Sequence, residues 1–205
     1  MHVSKANLQA HPENSKQVLV LGSDTHPALK EYGIVFASVE HYGCSQKSEP
    51  EGKAVNELYQ NLLQQHFIDR RGEKHQIREG NILVISPYNI QVNYLKSILP
   101  IKARVGTVDK FQGQEAEVVL ISMATSSAGE LPRDIEFLFS RNRLNVAISR
   151  ARSLAVVLAS PKLLEIPCDT IEQISLVNTL CHLKMWSEKG ALQKETISKN
   201  DPDFD

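Results

Sequence analysis

Six stretches of the chain are almost continuously apolar and rich in β-branched residues: QVLVLG (17–22), GIVFASV (33–39), NILVIS (81–86), RVGTV (104–108), EVVLISMA (117–124) and LAVVLAS (154–160). A strand with one wet face would alternate apolar and polar positions; these do not, so they predict a parallel sheet covered on both faces. Between them the period changes. From Glu51 to Phe67 apolar side chains recur at 55, 58, 59, 62, 63 and 67, the stripe of an amphipathic helix. Ser48 and Glu51 have the spacing of a capping box, with Pro50 in the first turn. Shorter helices are predicted over Asn89–Leu99 and Asn142–Arg152. A last amphipathic helix, Thr170–Ser187, would turn Ile171, Ile174, Val177, Leu180 and Cys181 inward. Strands alternating with helices imply one doubly wound α/β domain over residues 17–187. Residues 1–16 read as a flexible leader, and 188–205, poor in apolar residues, as a disordered tail.

Charge narrows the chemistry. Lys and Arg total 23 against 24 Asp and Glu, so no overall basic excess announces a polyanionic partner, and any anion site must be local. The three cysteines (Cys44, Cys168, Cys181) are odd in number and scattered. That excludes a disulfide framework or zinc site and suggests a reducing, cytoplasmic setting. The seven histidines make no metal-ligand spacing, so no metal site is expected. The longest apolar run, Val118–Ala124, is far too short to span a bilayer.

The local anion site suggests itself in RNRLNVAISRAR (141–152), which holds four arginines and no acid. On a helix Arg143 and Arg150, seven apart, share a face with small Ala147 between them, room for a bulky anion. Guanidinium forks suit phosphate oxygens. Structural ion pairs are the competing use and are expected for one or two of the four. In VGTVDKFQGQEAEVVLIS (105–122), Gly113 permits a tight turn and Glu115 can accept hydroxyl hydrogen bonds such as a ribose supplies. A purely structural loop fits the same composition. Because ligands in such sheets lie beyond the carboxyl ends of the strands, these polar segments are expected to gather at one edge.

Two absences matter as much. The only Gly–Lys pair, Gly52–Lys53, is followed by Ala54 and lies in no phosphate-binding loop, and no strand ends in paired acids suited to Mg²⁺. Glu51-Gly52-Lys53 matches a fragment of nuclease cores, but it sits at a helix start without a companion Asp on a preceding strand.

These residues carry a family resemblance. VGTVDKFQGQEAEVVLISM resembles motif V and RLNVAISRAR motif VI of superfamily 1B, up-frameshift-like helicases; VISPYNIQVNYLKSIL (84–99) is similar to motif IV. GIVFASVEHYGCSQKSEPEGKAV resembles the start of the second RecA-like domain in that branch. The similarity covers residues 17 to 184 and is greatest to bacterial RecB-like nuclease–helicase fusion proteins. It implies a RecA-like P-loop NTPase fold in its second-domain form. In such enzymes ATP lies between two RecA-like domains, the first supplying the phosphate loop and the Mg²⁺ carboxylates. The resemblance implies that Arg150 is the γ-phosphate finger, that Glu115 contacts the nucleotide sugar or the water network beside the phosphates, and that Gln91 faces the nucleotide edge. It places Thr107 and Asp109 near the nucleic-acid backbone, and Gln112–Gly113 at the turn coupling the two sites. Up-frameshift-like relatives often carry an arginine next to the motif IV glutamine. This chain has Val92 there, so the second arginine of the cleft is either missing or replaced by Arg143. The implied ligands are ATP with Mg²⁺, single-stranded nucleic acid (DNA before RNA) and a first RecA-like domain. The competing expectation is a non-catalytic nucleic-acid-binding or regulatory module derived from a truncated helicase.

Overall fold

A computed structural model describes residues 17–127, 141–166, 174 and 177–188. Its centre is a five-stranded, wholly parallel sheet. The strands are β2 (Gly33–Ser38), β5 (Ile82–Ile85), β6 (Arg104–Gly106), β7 (Ala116–Ser122) and β8 (Ala151–Ala159), in the order β2-β8-β7-β5-β6. Alternate residues feed two cores. Val118, Leu120, Leu154, Val156 and Leu158 face one layer, packed by Val55, Leu58, Tyr59 and Leu62 of α1 (Glu49–Leu62) and by Val92 and Leu95 of α2 (Asn89–Ile98). Val119, Ile121, Ala155 and Val157 face the other, covered by Phe111, by Leu144, Ala147 and Ile148 of α3 (Arg141–Ile148), and by Leu180 and Leu183 of α4 (177–188). Both faces being buried is why these strands show no polar alternation. This is the mixed α/β, RecA-like architecture.

The first predicted strand is the exception. β1 (Val18–Val20) lies outside the parallel sheet and pairs antiparallel with β3 (His66–Ile68), which pairs with β4 (Lys74–Gln76). Leu19 opposite Phe67 buries both against the α1 side of the core. The predicted helix 51–67 therefore stops early. Gln64 N and Gln65 N bond back three residues, to Asn61 O and Leu62 O, and the chain turns into β3. Phe67 stands four residues after Leu63, so its spacing suits a helix as well as a strand. β4 is fully exposed Lys-His-Gln, with no apolar residue to reveal it.

Ser48 caps α1 as expected, its Oγ accepting from Glu51 N at 3.2 Å. The capping box is not closed by Glu51, though. Gln91 reaches across from α2, its Oε1 accepting from Ser48 N at 2.9 Å and its Nε2 donating to Ser48 O at 3.0 Å. Gly52 allows the two helices to meet: a Cβ there would lie 2.4 Å from Tyr94 Cε1. The last helix keeps the predicted inward stripe in part. Leu180 and Leu183 are fully buried and Val177 packs beside them, but Ile174 is 47% exposed. Ile171, Cys168, the leader and the tail beyond 188 lie outside the described residues.

Candidate functional site

The polar residues occupy two opposite edges of the sheet rather than one. β7 begins at Ala116 and β8 at Ala151, adjacent and parallel, so Glu115 and Arg150 stand at the amino ends of the strands. Ala116 N donates to Arg150 O at 3.0 Å, which fixes the two segments side by side. Thr107 follows the carboxyl end of β6. The chain from there returns beneath the sheet through a 3-10 turn, Val108–Phe111, and Gln112–Gly113 bring it back to the start of β7. Gly113 has φ +75°, the left-handed conformation for which glycine was expected, and this is what lets the return close. At the same edge Arg104, the first residue of β6, donates to Gln114 Oε1 at 2.8 Å and to Gly80 O at 2.7 Å.

α3 connects the two edges. It is helical only to Ile148. Ser149 and Arg150 form a turn, and Arg152, predicted as helical, is in β8. Seven residues at 1.5 Å each separate Arg143 from Arg150 by about 10 Å along the helix direction. The two arginines therefore do not clasp one anion. Arg143, expected beside the nucleotide, is placed with Thr107 and Asp109 at the carboxyl edge. There they border a shallow pocket whose floor is apolar: Ile85, Val108, Ile121, Met123, Leu144 and Ala147. The Arg143–Asp109 contact is loose, 3.6 Å, with the aspartate side chain 71% exposed. Pairs of this kind contribute about 0–1 kcal/mol, so an incoming phosphate can compete for the guanidinium.

The arginines differ in how they are engaged. Arg152 is bound on two sides, Nε to Glu115 Oε2 at 3.1 Å and NH1 to Glu117 Oε1 at 3.0 Å; Glu117 also accepts from Asn81 Nδ2 at 2.8 Å. Partial burial opposes the Arg152 charge, but the hydrogen bonds it donates to Glu115 and Glu117, with their negative charge, outweigh it, and its pKa is held above the ordinary value. Arg150 is half-buried, its Nε donating to Val146 O at 3.3 Å. Among the described residues it is in no ion pair. The side chain of Arg141 lies outside the described set.

Gln91, expected at the nucleotide edge, is fully buried. Both its amide atoms are committed inside, to Ser48 and, through Nε2, to Ser122 Oγ at 3.0 Å. It belongs to a buried polar network that sequence reasoning missed. At its centre is Glu51, which has no exposure at all: Oε2 accepts from Ser122 Oγ at 2.7 Å and Ala124 N at 2.8 Å, and Oε1 lies 2.8 Å from His41 Nε2. His41 Nδ1 is 2.7 Å from Ser126 Oγ. A carboxylate only accepts, so His41 carries its proton on Nε2. Glu51 is thus a structural acceptor beneath the carboxyl edge and not part of a nuclease core. Ala124, which it holds, has φ +61°, left-handed backbone that an L side chain rarely adopts. The spacing of Glu51 offered a helix cap and a nuclease-core fragment without its companion Asp, and neither reveals this network.

Among the described residues one group has metal-ligand proximity: Asp69, Glu73 and His75, on the β3–β4 hairpin. Asp69 is occupied there in closing the turn, accepting from Arg71 N and Glu73 N and contacting His75. No described helix is long and apolar enough to cross a membrane.

Comparison with known proteins agrees with this architecture. The model of an AAA domain family matches residues 4–162. The chain is 37% identical over 98 residues to the probable RNA helicase armi of Drosophila melanogaster, covering 44% of this chain and 8% of that one. It is 33% identical over 119 residues to the DNA polymerase alpha-associated DNA helicase A of Saccharomyces cerevisiae (56% and 17%). It is 36% identical over 142 residues to the mouse RNA helicase Mov10l1 (66% and 12%). The chain thus spans between 8 and 17% of the length of these three relatives. With most of its length matched, it belongs to the AAA domain family found as the C-terminal region of superfamily 1 helicases.

Proposed function

We propose that this chain is the second RecA-like half of an ATP-dependent superfamily 1 helicase. Its amino edge would complete an ATP site held by a first RecA-like domain, and its carboxyl edge would form part of a single-stranded nucleic-acid track. The observation that carries the reading is Arg150. It is half-buried, steadied through Nε, and free of ion pairs among the described residues, while Arg143 and Arg152 are both paired. An arginine kept unneutralised at a strand edge has its terminal nitrogens available for a γ-phosphate, where a guanidinium lowers the barrier by meeting charge that develops in transfer.

The neighbouring residues fit a supporting role. Glu115 keeps Oε1 for the nucleotide sugar while Oε2 holds Arg152. Both acids of that corner, Glu115 and Glu117, are spent on Arg152, so the Mg²⁺ that accompanies ATP would take its carboxylates from the first domain. Thr107 and Arg143 supply phosphate contacts on the far edge, where Asp109 holds Arg143 until a phosphate displaces it, and Gln112–Gly113 link the edges through the return turn. Gln91 acts from within, by capping α1. DNA and RNA are both represented in the names of the relatives, and backbone contacts of this kind carry no base identity.

Reconstitution tests the reading. The chain alone should hydrolyse no ATP. Mixed with a purified first RecA-like domain from a superfamily 1B helicase, it should raise that domain's ATPase rate in the presence of single-stranded nucleic acid. Turnover by the chain alone, or no stimulation by a folded chain that binds its partner, would refute it.

A further inference from the structure

The carboxyl edge carries a feature that the motif residues leave unused. Tyr42 follows β2 and is 68% exposed, yet the turn that bears it is fixed at its base. On one side, buried His41 is tied to Ser126 and Glu51. On the other, Cys44 N donates to Ser126 Oγ at 2.9 Å, and Ser126 N donates to Cys44 O at 2.8 Å. Gly43, at φ +69°, turns the chain between them. The ring therefore stands on a tight turn bonded to the extension of β7. It contributes nothing to either apolar core.

Its neighbour is equally placed. Lys162 follows β8, the strand next to β2, and sets Nζ over one face of the Tyr42 ring, 4.2 Å from its centroid. Its backbone is held by the Ser160 cap, whose Oγ accepts from Lys162 N at 3.3 Å, and by the full burial of Leu163. An exposed aromatic ring and an exposed ammonium thus arise from the ends of adjacent strands, each on a fixed turn.

We propose that Tyr42 and Lys162 form a base-stacking platform for single-stranded nucleic acid, a base lying on the face of the Tyr42 ring opposite Lys162 and the adjoining phosphate meeting Lys162. An aromatic face accepts any base, and an ammonium takes the phosphate as a point charge, so the contact is sequence-tolerant. The length of the edge favours a polymer over a free nucleotide. β2 and β6 end the sheet, and four spacings of about 4.8 Å put their carboxyl ends roughly 19 Å apart, with Tyr42 beyond the one and Thr107 beyond the other. A strand can touch both; a mononucleotide cannot. This rests on reading the carboxyl edge as the nucleic-acid track, and it does not depend on Arg150 or on ATP.

The test is fluorescence anisotropy with a fluorescein-labelled 20-mer of deoxythymidine and an abasic 20-mer of the same backbone, using the whole 205-residue chain. Tyr42→Ala should weaken binding of the thymidine oligomer about tenfold and leave the abasic one unchanged. Tyr42→Phe should bind as wild type. Lys162→Ala should weaken both oligomers and lower the salt dependence by roughly one counterion. Binding of neither oligomer by the wild-type chain would overturn the platform. So would a Tyr42→Ala chain that binds thymidine as before or loses both oligomers alike, or competition by thymidine monophosphate at the same concentration per nucleotide. Reconstituted ATPase activity is a separate readout: its failure removes the Arg150 reading and leaves this one standing, and the reverse holds.

Discussion

Replacing Glu51 with alanine should be among the most damaging single changes in the domain. The carboxylate has no solvent exposure and accepts from Ser122 Oγ, Ala124 N and His41 Nε2 at 2.7–2.8 Å. Alanine would leave three buried donors without acceptors, each costing about 1–3 kcal/mol when unmade, with incomplete additivity. It would also free Ala124 from the bond that holds its left-handed backbone, a conformation costing about 1–2 kcal/mol. A loss of about 3–5 kcal/mol follows, as for other buried charge networks broken on one side. That is a large part of the 5–15 kcal/mol typical of a whole domain and corresponds to roughly 10–15 °C in Tm. Glutamine is the informative control. Its oxygen can serve Ser122 and Ala124 while its amide donates to His41 Nε2, once the histidine proton moves to Nδ1 and is given to Ser126 Oγ. Glu51→Gln should therefore cost about 1 kcal/mol, one hydrogen bond's worth. Urea denaturation of wild type and both variants, followed by circular dichroism, measures this. If Glu51→Ala lies within 1 kcal/mol of wild type, or Glu51→Gln is as damaging as alanine, the network is not the one described.

Other predictions come from the same packing. Tyr59 is fully buried with its hydroxyl unpartnered, so Tyr59→Phe should be neutral to stabilising, by up to about 1 kcal/mol, in the same denaturation assay. Burial pushes the Tyr59 pKa up to about 12, so its contribution is complete below pH 10 and is lost as pH rises from 10 towards 12. Tyr59→Phe should remove that share of the alkaline unfolding, seen in melts across this window. Gly52→Ala would bring a Cβ to 2.4 Å from Tyr94 Cε1 and should lower stability by about 1–3 kcal/mol, rescued in part by Tyr94→Ala in a double-mutant cycle. Arg152→Ala leaves the nearly buried Glu117 carboxylate with Asn81 alone and should cost about 1–3 kcal/mol; Arg152→Lys, unable to span both acids, should recover only part.

How much of this was legible beforehand depended on whether a residue's neighbours lie near it in sequence. The five core strands were readable because burial on both faces leaves an unbroken apolar run, and Gly113 because a tight return needs left-handed backbone. β1 has the same apolar look but joins a different sheet, since pairing is decided by where β3 arrives. β4, Lys-His-Gln, carries no pattern at all. The arginine helix misled in one respect: seven-residue spacing puts Arg143 and Arg150 on one helix face but about 10 Å apart along it, which sends them to opposite edges. The buried partners of Gln91 and Glu51 were not legible for a related reason. A polar residue inside a motif suggests a ligand, whereas Gln91 is satisfied internally by Ser48 and Ser122, 43 and 31 residues away; Glu51, readable only as a cap, takes its hydrogen bonds from Ser122 and Ala124, 71 and 73 residues on.

Arg150 carries the central claim, and one kinetic comparison tests it most directly. ATPase rates would be measured for the chain paired with a first RecA-like domain and saturating single-stranded nucleic acid, with wild type, Arg150→Ala and Arg150→Lys, alongside melting of each isolated chain. If Arg150 meets charge that develops on the transferring phosphate, alanine should lower kcat by about 10³-fold or more with a smaller change in KM. Lysine should recover little of the loss, because it lacks the guanidinium fork. All three chains should melt within about 1 kcal/mol of one another, as for other substitutions outside the core. An Arg150→Ala chain that unfolds but keeps full kcat per folded molecule, or one that folds and turns over ATP at the wild-type rate, would contradict the account.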